Sequence, residues 1–224
     1  MKILSNSIVA ILLVVLLSAC GKDNYDEPTS QLFGRVTYQG QNLNLRGTGE
    51  AVQLQLYQDG YEKHDPIPVY VKQDGSFSAL LFNGDYRLTT KDGNGPWVNN
   101  HESIEINLKG SAEVNLEVVP YFLISKEEIS ISDSKLDASF MIDQIVEDAK
   151  IDRIMLLLSK TQFVDDVNNL FRQDFLDVKE GGTYLSADIS NNAEVKKANI
   201  LYARIGVLAN GADQAIYSSV VRLK

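Results

Sequence analysis

The sequence is poor in the residues that usually carry chemistry. Its 224 residues include one cysteine, two histidines, one tryptophan and five prolines. A lone cysteine cannot close an intrachain disulfide, so the fold must stand on core packing. His64 and His101 are too few for a histidine-based zinc site without carboxylate help. There is no Gly-x-Ser-x-Gly elbow, no His-Glu-x-x-His and no glycine-rich phosphate loop. No activating partner for a nucleophile is visible. A glycosidase needs two carboxylates facing each other across a cleft, about 5 to 10 Å apart. None of the 30 acidic residues stands in an apolar setting that would mark it out for that role. No enzyme, no metal site and no cofactor are expected.

Positive charge is also scarce, with 21 basic residues against 30 acidic and a net charge of −9. Nucleic acid, whose binding rests on neutralising phosphates with Lys and Arg, is excluded as a partner. An anionic lipid surface is disfavoured as a direct electrostatic partner. Neutral ligands such as most sugars stay open.

Long hydrophobic runs are absent as well. The longest, Ile8 to Leu17, has ten residues, half of the roughly 20 that a spanning helix needs. Lys2, this short apolar core and the small residues before Cys20 read as a signal peptide over 1–19. Leu17-Ser18-Ala19-Cys20 ends it in the order of a lipoprotein cut site, which makes Cys20 the expected lipidation position. Each buried acyl methylene contributes about 0.8 kcal/mol, and stable anchoring takes more than one chain. Lipidation would also consume the only thiol. Residues 20–30 then form a polar tether, whose Asp23, Asp26 and Glu27 behind Lys22 resemble the export tag of surface lipoproteins in Bacteroidota. The expected location is the outer membrane, lipid-anchored and facing outward.

From Gln31 the chain alternates apolar and polar with the period of half-buried strands. Leu32, Gly34 and Val36 share a face, as do Val52, Leu54 and Leu56, then Ile104, Ile106 and Leu108, then Val114, Leu116 and Val118. Asp74-Gly75, Asn83-Gly84 and Lys109-Gly110 are turn signals between strands. About seven short strands at this spacing predict a β-sandwich over 31–119. Pro120 should break a strand and mark a junction. A second β-sandwich is expected over 120–224, with Ile151 to Leu158 as a central strand and Ile200 to Ala209 beside it. Phe163, Val167, Leu170 and Phe171 have helical spacing, so 161–182 reads as a long connection holding one helical turn. The fold class is all-β, two consecutive sandwiches.

Two segments could bind a ligand. Lys91 to His101 holds the only tryptophan with Asn99, Asn100 and His101. An exposed Trp97 ring could stack on the apolar face of a sugar while the amides bond its hydroxyl rim. The competing reading is that Trp97 anchors the loop in the core. Asp92-Gly-Asn94-Gly in the same loop has a faint calcium-loop look without the downstream acidic pattern. The second segment holds Tyr57, Tyr61, His64 and Tyr70, stiffened by Pro66 and Pro68. Tyr61 and Tyr70 are candidate sugar contacts, or plain aromatic strand residues. Arg153 and Arg204 could meet an acidic sugar or pair with strand carboxylates.

Asp74-Gly75-Ser76-Phe77 followed by LLFNGDY (80–86) is similar to the signature of transthyretin-like or carboxypeptidase-regulatory-like sandwiches. With VPYFLI (119–124), RIMLLLSKTQFV (153–164), YARIGV (202–207) and YSSVVRL (217–223), the chain resembles a Bacteroidota family of two-domain surface lipoproteins of unknown function, whose second domain is Ig-like. The resemblance implies association with outer-membrane glycan importers of the starch-utilisation type, and carries no catalytic residues with it. The function it implies is non-catalytic glycan binding, with oligo- or polysaccharide and outer-membrane transporter components as partners. A structural or protein-docking module, or an adhesin, is the alternative.

Overall fold

The computed structural model describes residues 26–60 and 64–224. The expected signal peptide, Cys20 and Tyr61 lie outside the described residues. The regular structure described is almost entirely strand, in two successive sandwiches.

In the first domain, β1 (Ser30–Tyr38) is the organising strand. It runs antiparallel to β2 (Gln41–Asn42) and β5 (Ser76–Leu81), and parallel to β8 (Ser111–Glu113) and β9 (Leu116–Glu117). The facing sheet has the order β4 (Ile67–Tyr70), β3 (Gln53–Gln58), β6 (Gly84–Thr90), β7 (Ile104–Leu108). Leu32 and Val36 of β1 meet Leu54, Leu56 and Leu88 of the other sheet in a core with no solvent access. The period-two alternation was legible because each sheet buries one face only.

The glycine turns do more than join neighbours. Asp74-Gly75, Asn83-Gly84 and Lys109-Gly110 all carry the chain from one sheet to the other, since β4, β6 and β7 belong to one sheet and β5 and β8 to its partner. They are corners of the sandwich. Asn83 and Lys109-Gly110 are tied together, with the Gly110 N–H donating to Asn83 Oδ1 at 3.0 Å. Gly75 must be glycine. Its φ is +77°, and a Cβ there would lie 2.5 Å from the Leu43 carbonyl oxygen.

The second domain packs a sheet of β10 (Phe122–Ser132), β11 (Lys135–Gln144) and β14 (Gly181–Asp188) on a sheet of β13 (Phe171–Phe175), β12 (Ile151–Ser159) and β15 (Tyr202–Ala209), with β16 (Ile216–Tyr217) and β17 (Val221–Arg222) both on β15. Leu136, Ala138, Phe140 and Ile142 face Ile154, Leu156, Leu158, Ala203, Ile205 and Val207 across the core. On the opposite face of β12, Met155 and Leu157 are also buried, under Val164, Ala215 and Tyr217. This two-sided burial explains why Ile151 to Leu158 is a continuous apolar run.

Residues 161–182 depart from the expectation of a helical turn. Asp165 Oδ1 accepts from the backbone N–H groups of Val167 and Asn168, making a tight side-chain-capped turn. Phe171–Phe175 then pairs with β12 as an edge strand. The one helix among the described residues is α1 (Ala193–Lys197), capped by Asn192, whose side chain accepts from Glu194 N and Val195 N.

Candidate functional site

The domains meet through an extended polar and apolar seam. Tyr217 N donates to the Asn44 carbonyl at 3.0 Å. Arg46 pairs with Asp166 at 3.7 Å, and the Thr48 hydroxyl donates to the buried Asp165 carboxylate. At the centre is Arg204, 1% exposed. Its Nε donates to the Ser218 carbonyl at 2.9 Å, Nη1 to Val164 O at 3.4 Å and Nη2 to Gln73 O of the first domain at 3.2 Å. Burial lowers its pKa to about 10, so it stays cationic at neutral pH. Arg204 is therefore neither a surface sugar contact nor a partner of a strand carboxylate; its fork is spent on backbone carbonyls. Arg153 does pair with carboxylates, Asp152 at 2.7 Å and Asp174 at 3.5 Å.

Trp97 corrects the expectation of an exposed sugar platform. It is 1% exposed. Its ring lies over Gly95, where a Cβ would come within 2.2 Å of it. Trp97 bridges Pro120 across the backbone, Val98 N donates to Val119 O at 2.9 Å, and Tyr121 N to Pro96 O at 3.0 Å. The loop is thus strapped onto the interdomain linker, and the indole is the strap's anchor. Of its two neighbouring amides, Asn99 is turned inward, its Oδ1 accepting from Gly93 N at 2.9 Å, while Asn100 is held through its backbone carbonyl, which accepts from Thr90 Oγ1 at 3.4 Å. Asn94 holds Gln53 N and Ala51 O, which takes its side chain away from any calcium. His101 is exposed beside Asp92, 3.6 Å away. Tyr70 lies apart on edge strand β4, 38% exposed, where the charge of Glu50 raises its phenol pKa. It lines an open cleft with Glu50, Lys72 and Leu80. Tyr57 spends its hydroxyl on Gln55 at 3.2 Å.

The residues that do converge lie between the domains, in a groove of about 320 Å³. One wall is the β1–β2 hairpin. Gln39-Gly40 forms its two-residue loop with φ of 49° and 74°, the geometry that suits strand twist. Glu117 pins this loop, accepting from Gln39 N and, at 2.8 Å, from Thr37 Oγ1. The wall presents Tyr38, Gln39, Gln41, Asn42 and Asn44. The other wall is Leu123, Ile124 and Ser125 of β10 with Asp143 of β11, where Ser125 Oγ donates to Asp143 Oδ2 at 3.2 Å. Buried Ile216 and Tyr217 form the floor. Amide groups offer paired donors and acceptors, which match adjacent hydroxyls, and the half-buried Tyr38 supplies an aromatic edge. Asp143 is the one carboxylate among the lining residues, so the two-carboxylate arrangement of a glycosidase is not formed there. No lining residue is basic.

Sequence reasoning missed this groove. The one available signal was the density of amides from Gln39 to Asn44, five polar or glycine residues around a single Leu43.

Residues 30–119 match the family described as "Protein of unknown function (DUF3823) N-terminal domain", and residues 122–222 match "Domain of unknown function (DUF3823_C)". A crystal structure of a DUF3823 family protein from Parabacteroides merdae is 75% identical, covers 89% of this chain and 100% of its own, and superposes with a TM-score of 0.86. A Bacteroides ovatus member is 27% identical over 87% of this chain and 98% of its own, with a TM-score of 0.76. A "putative carbohydrate binding protein" from Bacteroides uniformis shares the fold at 19% identity, covering 88% of this chain and 99% of its own, with a TM-score of 0.74. None of the curated proteins is a match.

Proposed function

The chain belongs to the DUF3823 family, and from that premise we propose that it is a non-catalytic glycan-binding lipoprotein that holds oligosaccharide in the groove between its two domains. The observation that carries this reading is the groove itself: Tyr38, Gln39, Gln41, Asn42 and Asn44 facing Ser125 and Asp143 over buried Ile216 and Tyr217. Such a lining suits a ligand that is uncharged, hydroxyl-rich and only partly apolar. The name of the Bacteroides uniformis structure points the same way. Cys20, behind its short apolar signal, is the proposed lipid anchor, with the outer-membrane surface as the proposed location and a glycan importer as the proposed partner.

The test is a glycan array followed by titration calorimetry on protein starting at Gly21. Binding to a neutral oligosaccharide is expected, and Tyr38→Ala with Asn42→Ala should weaken it at least tenfold while Trp97→Phe leaves it within about twofold. Absence of binding to every glycan, or loss with Trp97→Phe alone, sinks the reading.

A protein-docking role has its own supporting observation. β13 pairs on one side only, and Phe163, Val167 and Leu176 beside it are 50%, 65% and 64% exposed. A partner strand could add to this edge. That reading expects a stoichiometric partner in pull-downs, abolished by Val167→Asp and insensitive to Tyr38→Ala.

A further inference from the structure

We propose that the first domain rests on the bilayer surface through the outer face of its β1–β5 pair, with Leu80, Phe82 and Phe33 as the apolar contacts. The proposal rests on the reading of Cys20 as the lipidated residue.

Three observations converge. Leu80 is 62% exposed, Phe82 46% and Phe33 36%. Leu81 and Phe77 of β5 point inward, which turns Ser78 and Leu80 outward, and Phe82 follows, exposed, at the corner just past the strand. Across the register, Phe33 stands opposite Ser78 and Gln31 opposite Leu80, so Phe33 and Leu80 are diagonal neighbours within side-chain reach. The patch also lies where the chain enters the domain. Ser30 pairs with Leu81, and its hydroxyl donates to Asn83 at 2.6 Å.

The third observation is chain length. Six residue steps separate Cys20 from Asp26, the first described residue, and a fully extended chain spans at most about 3.6 Å per residue. Asp26 therefore stays within roughly 22 Å of the lipidated sulfur and Ser30 within roughly 36 Å. A lipid surface is the one partner guaranteed to be within reach of the patch. Aliphatic and aromatic side chains are the types that settle into the interface. The charged residues bordering the patch are mixed, Arg35, Lys72 and Glu113 on its flank and Lys109 at the adjacent corner, so the contact is apolar in origin and insensitive to salt.

Distance along β1 separates the patch from the groove. This strand starts at the tether and ends at Tyr38 in the groove. Its eight residue steps place the groove about 27 Å along the strand from the tether entry.

The test uses full-length protein lipidated at Cys20 and reconstituted into neutral phosphatidylcholine vesicles. An environment-sensitive fluorophore is placed on Phe82→Cys or Leu80→Cys, and, as the distal control, on Asn42→Cys. Flotation with the vesicles reports anchoring. A blue shift and quenching by nitroxide-labelled lipid are expected at 80 and 82 and not at 42, unchanged at high salt. Failure to float overturns the anchoring reading and this inference with it. Flotation with position 82 as water-exposed as position 42 overturns the inference alone. A blue shift at 82 that appears without vesicles and grows with protein concentration assigns the patch to a second copy of the chain, and also overturns it.

Discussion

The Arg204 guanidinium stands 4.5 Å from the centroid of the Tyr217 ring, and both residues bond to backbone carbonyls of the first domain. The cation stacks on the ring while its fork reaches carbonyls of both domains, and the Tyr217 hydroxyl donates to Asp166 at 2.8 Å. Arg204→Met keeps much of the volume but leaves three carbonyls without this donor. A loss of about 3 kcal/mol is expected in urea unfolding. Arg204→Lys should recover only part of it, because an ammonium cannot reproduce the planar fork. Equal stability of Arg204→Lys and the parent protein would refute this assignment.

Alkaline titration probes the same pair. Burial, and then the negative charge of Asp166, raise the Tyr217 phenol well above 10. A group whose folded pKa exceeds its unfolded value contributes stability that is complete below the unfolded value, about 10 for tyrosine. It is lost as pH climbs toward the folded value. Thermal unfolding of Tyr217→Phe should therefore fall less steeply above about pH 10 than that of the parent. Parallel curves would place the phenol's titration in the ordinary range.

Asp174 governs the acid limb in the opposite sense. A bidentate bond from Arg172, with distances of 2.7 and 2.8 Å, holds its carboxyl below the usual carboxylate range, and Arg153 adds to this. A depressed folded pKa contributes stability present above the unfolded value, about 3.9, and lost as pH falls through the folded one. Asp174→Asn should lower stability at neutral pH modestly and flatten the decline below about pH 4. The measurement is the melting temperature across the acid range, and an unchanged slope would argue against the fork.

Trp97 gives a prediction about a reporter as well as about stability. A 1% exposed indole should resist acrylamide quenching and show no emission shift on adding ligand. Trp97→Ala is expected to cost about 3–5 kcal/mol, as for other large core truncations. Gly95→Ala should be comparably harmful, since its methyl would sit inside the ring's contact distance. Strong quenching of the native protein would contradict the strap geometry.

The sandwiches were readable from sequence because Leu32, Val36, Leu54, Leu56 and Leu88 each serve one buried face, which writes period two into the chain. What the glycine turns do was not readable. Asp74-Gly75 and Asn83-Gly84 look like hairpin turns, yet they switch sheets, and a dipeptide specifies a local bend without saying which strand will pair. Two hairpin loops, Gln39-Gly40 and Asp133-Ser134, carry positive φ at non-glycine residues, so their sequence signal was weak. The site was hidden for a different reason. Tyr38 and Asp143 are more than one hundred positions apart, and only docking of the two domains brings them to one groove. Trp97 misled because an indole suits a sugar platform and a core equally well, and loop composition alone does not choose. The spacing of Phe163, Val167 and Phe171 suggested a helix, but Asp165 captures the local N–H groups first.

The groove's charge makes the final prediction. Its lining holds one carboxylate, Asp143, and no Lys, Arg or His, in a protein that is net acidic. An anionic sugar entering it would lose hydration without gaining a counter-charge, and would meet Asp143 at close range. Neutral oligosaccharides should therefore bind at least about tenfold more tightly than uronate or sulfated analogues of the same length, equivalent to about 1.4 kcal/mol. Their affinity should not fall as salt is raised, because no ion pair contributes. Asp143→Asn should narrow the gap by relieving the repulsion, whereas Tyr38→Ala should weaken all ligands alike by removing the shared aromatic contact. Calorimetry with matched neutral and anionic oligosaccharides against the three proteins separates these effects. Tighter binding of the anionic member would mean that the ligand is held elsewhere, at a surface that supplies cations.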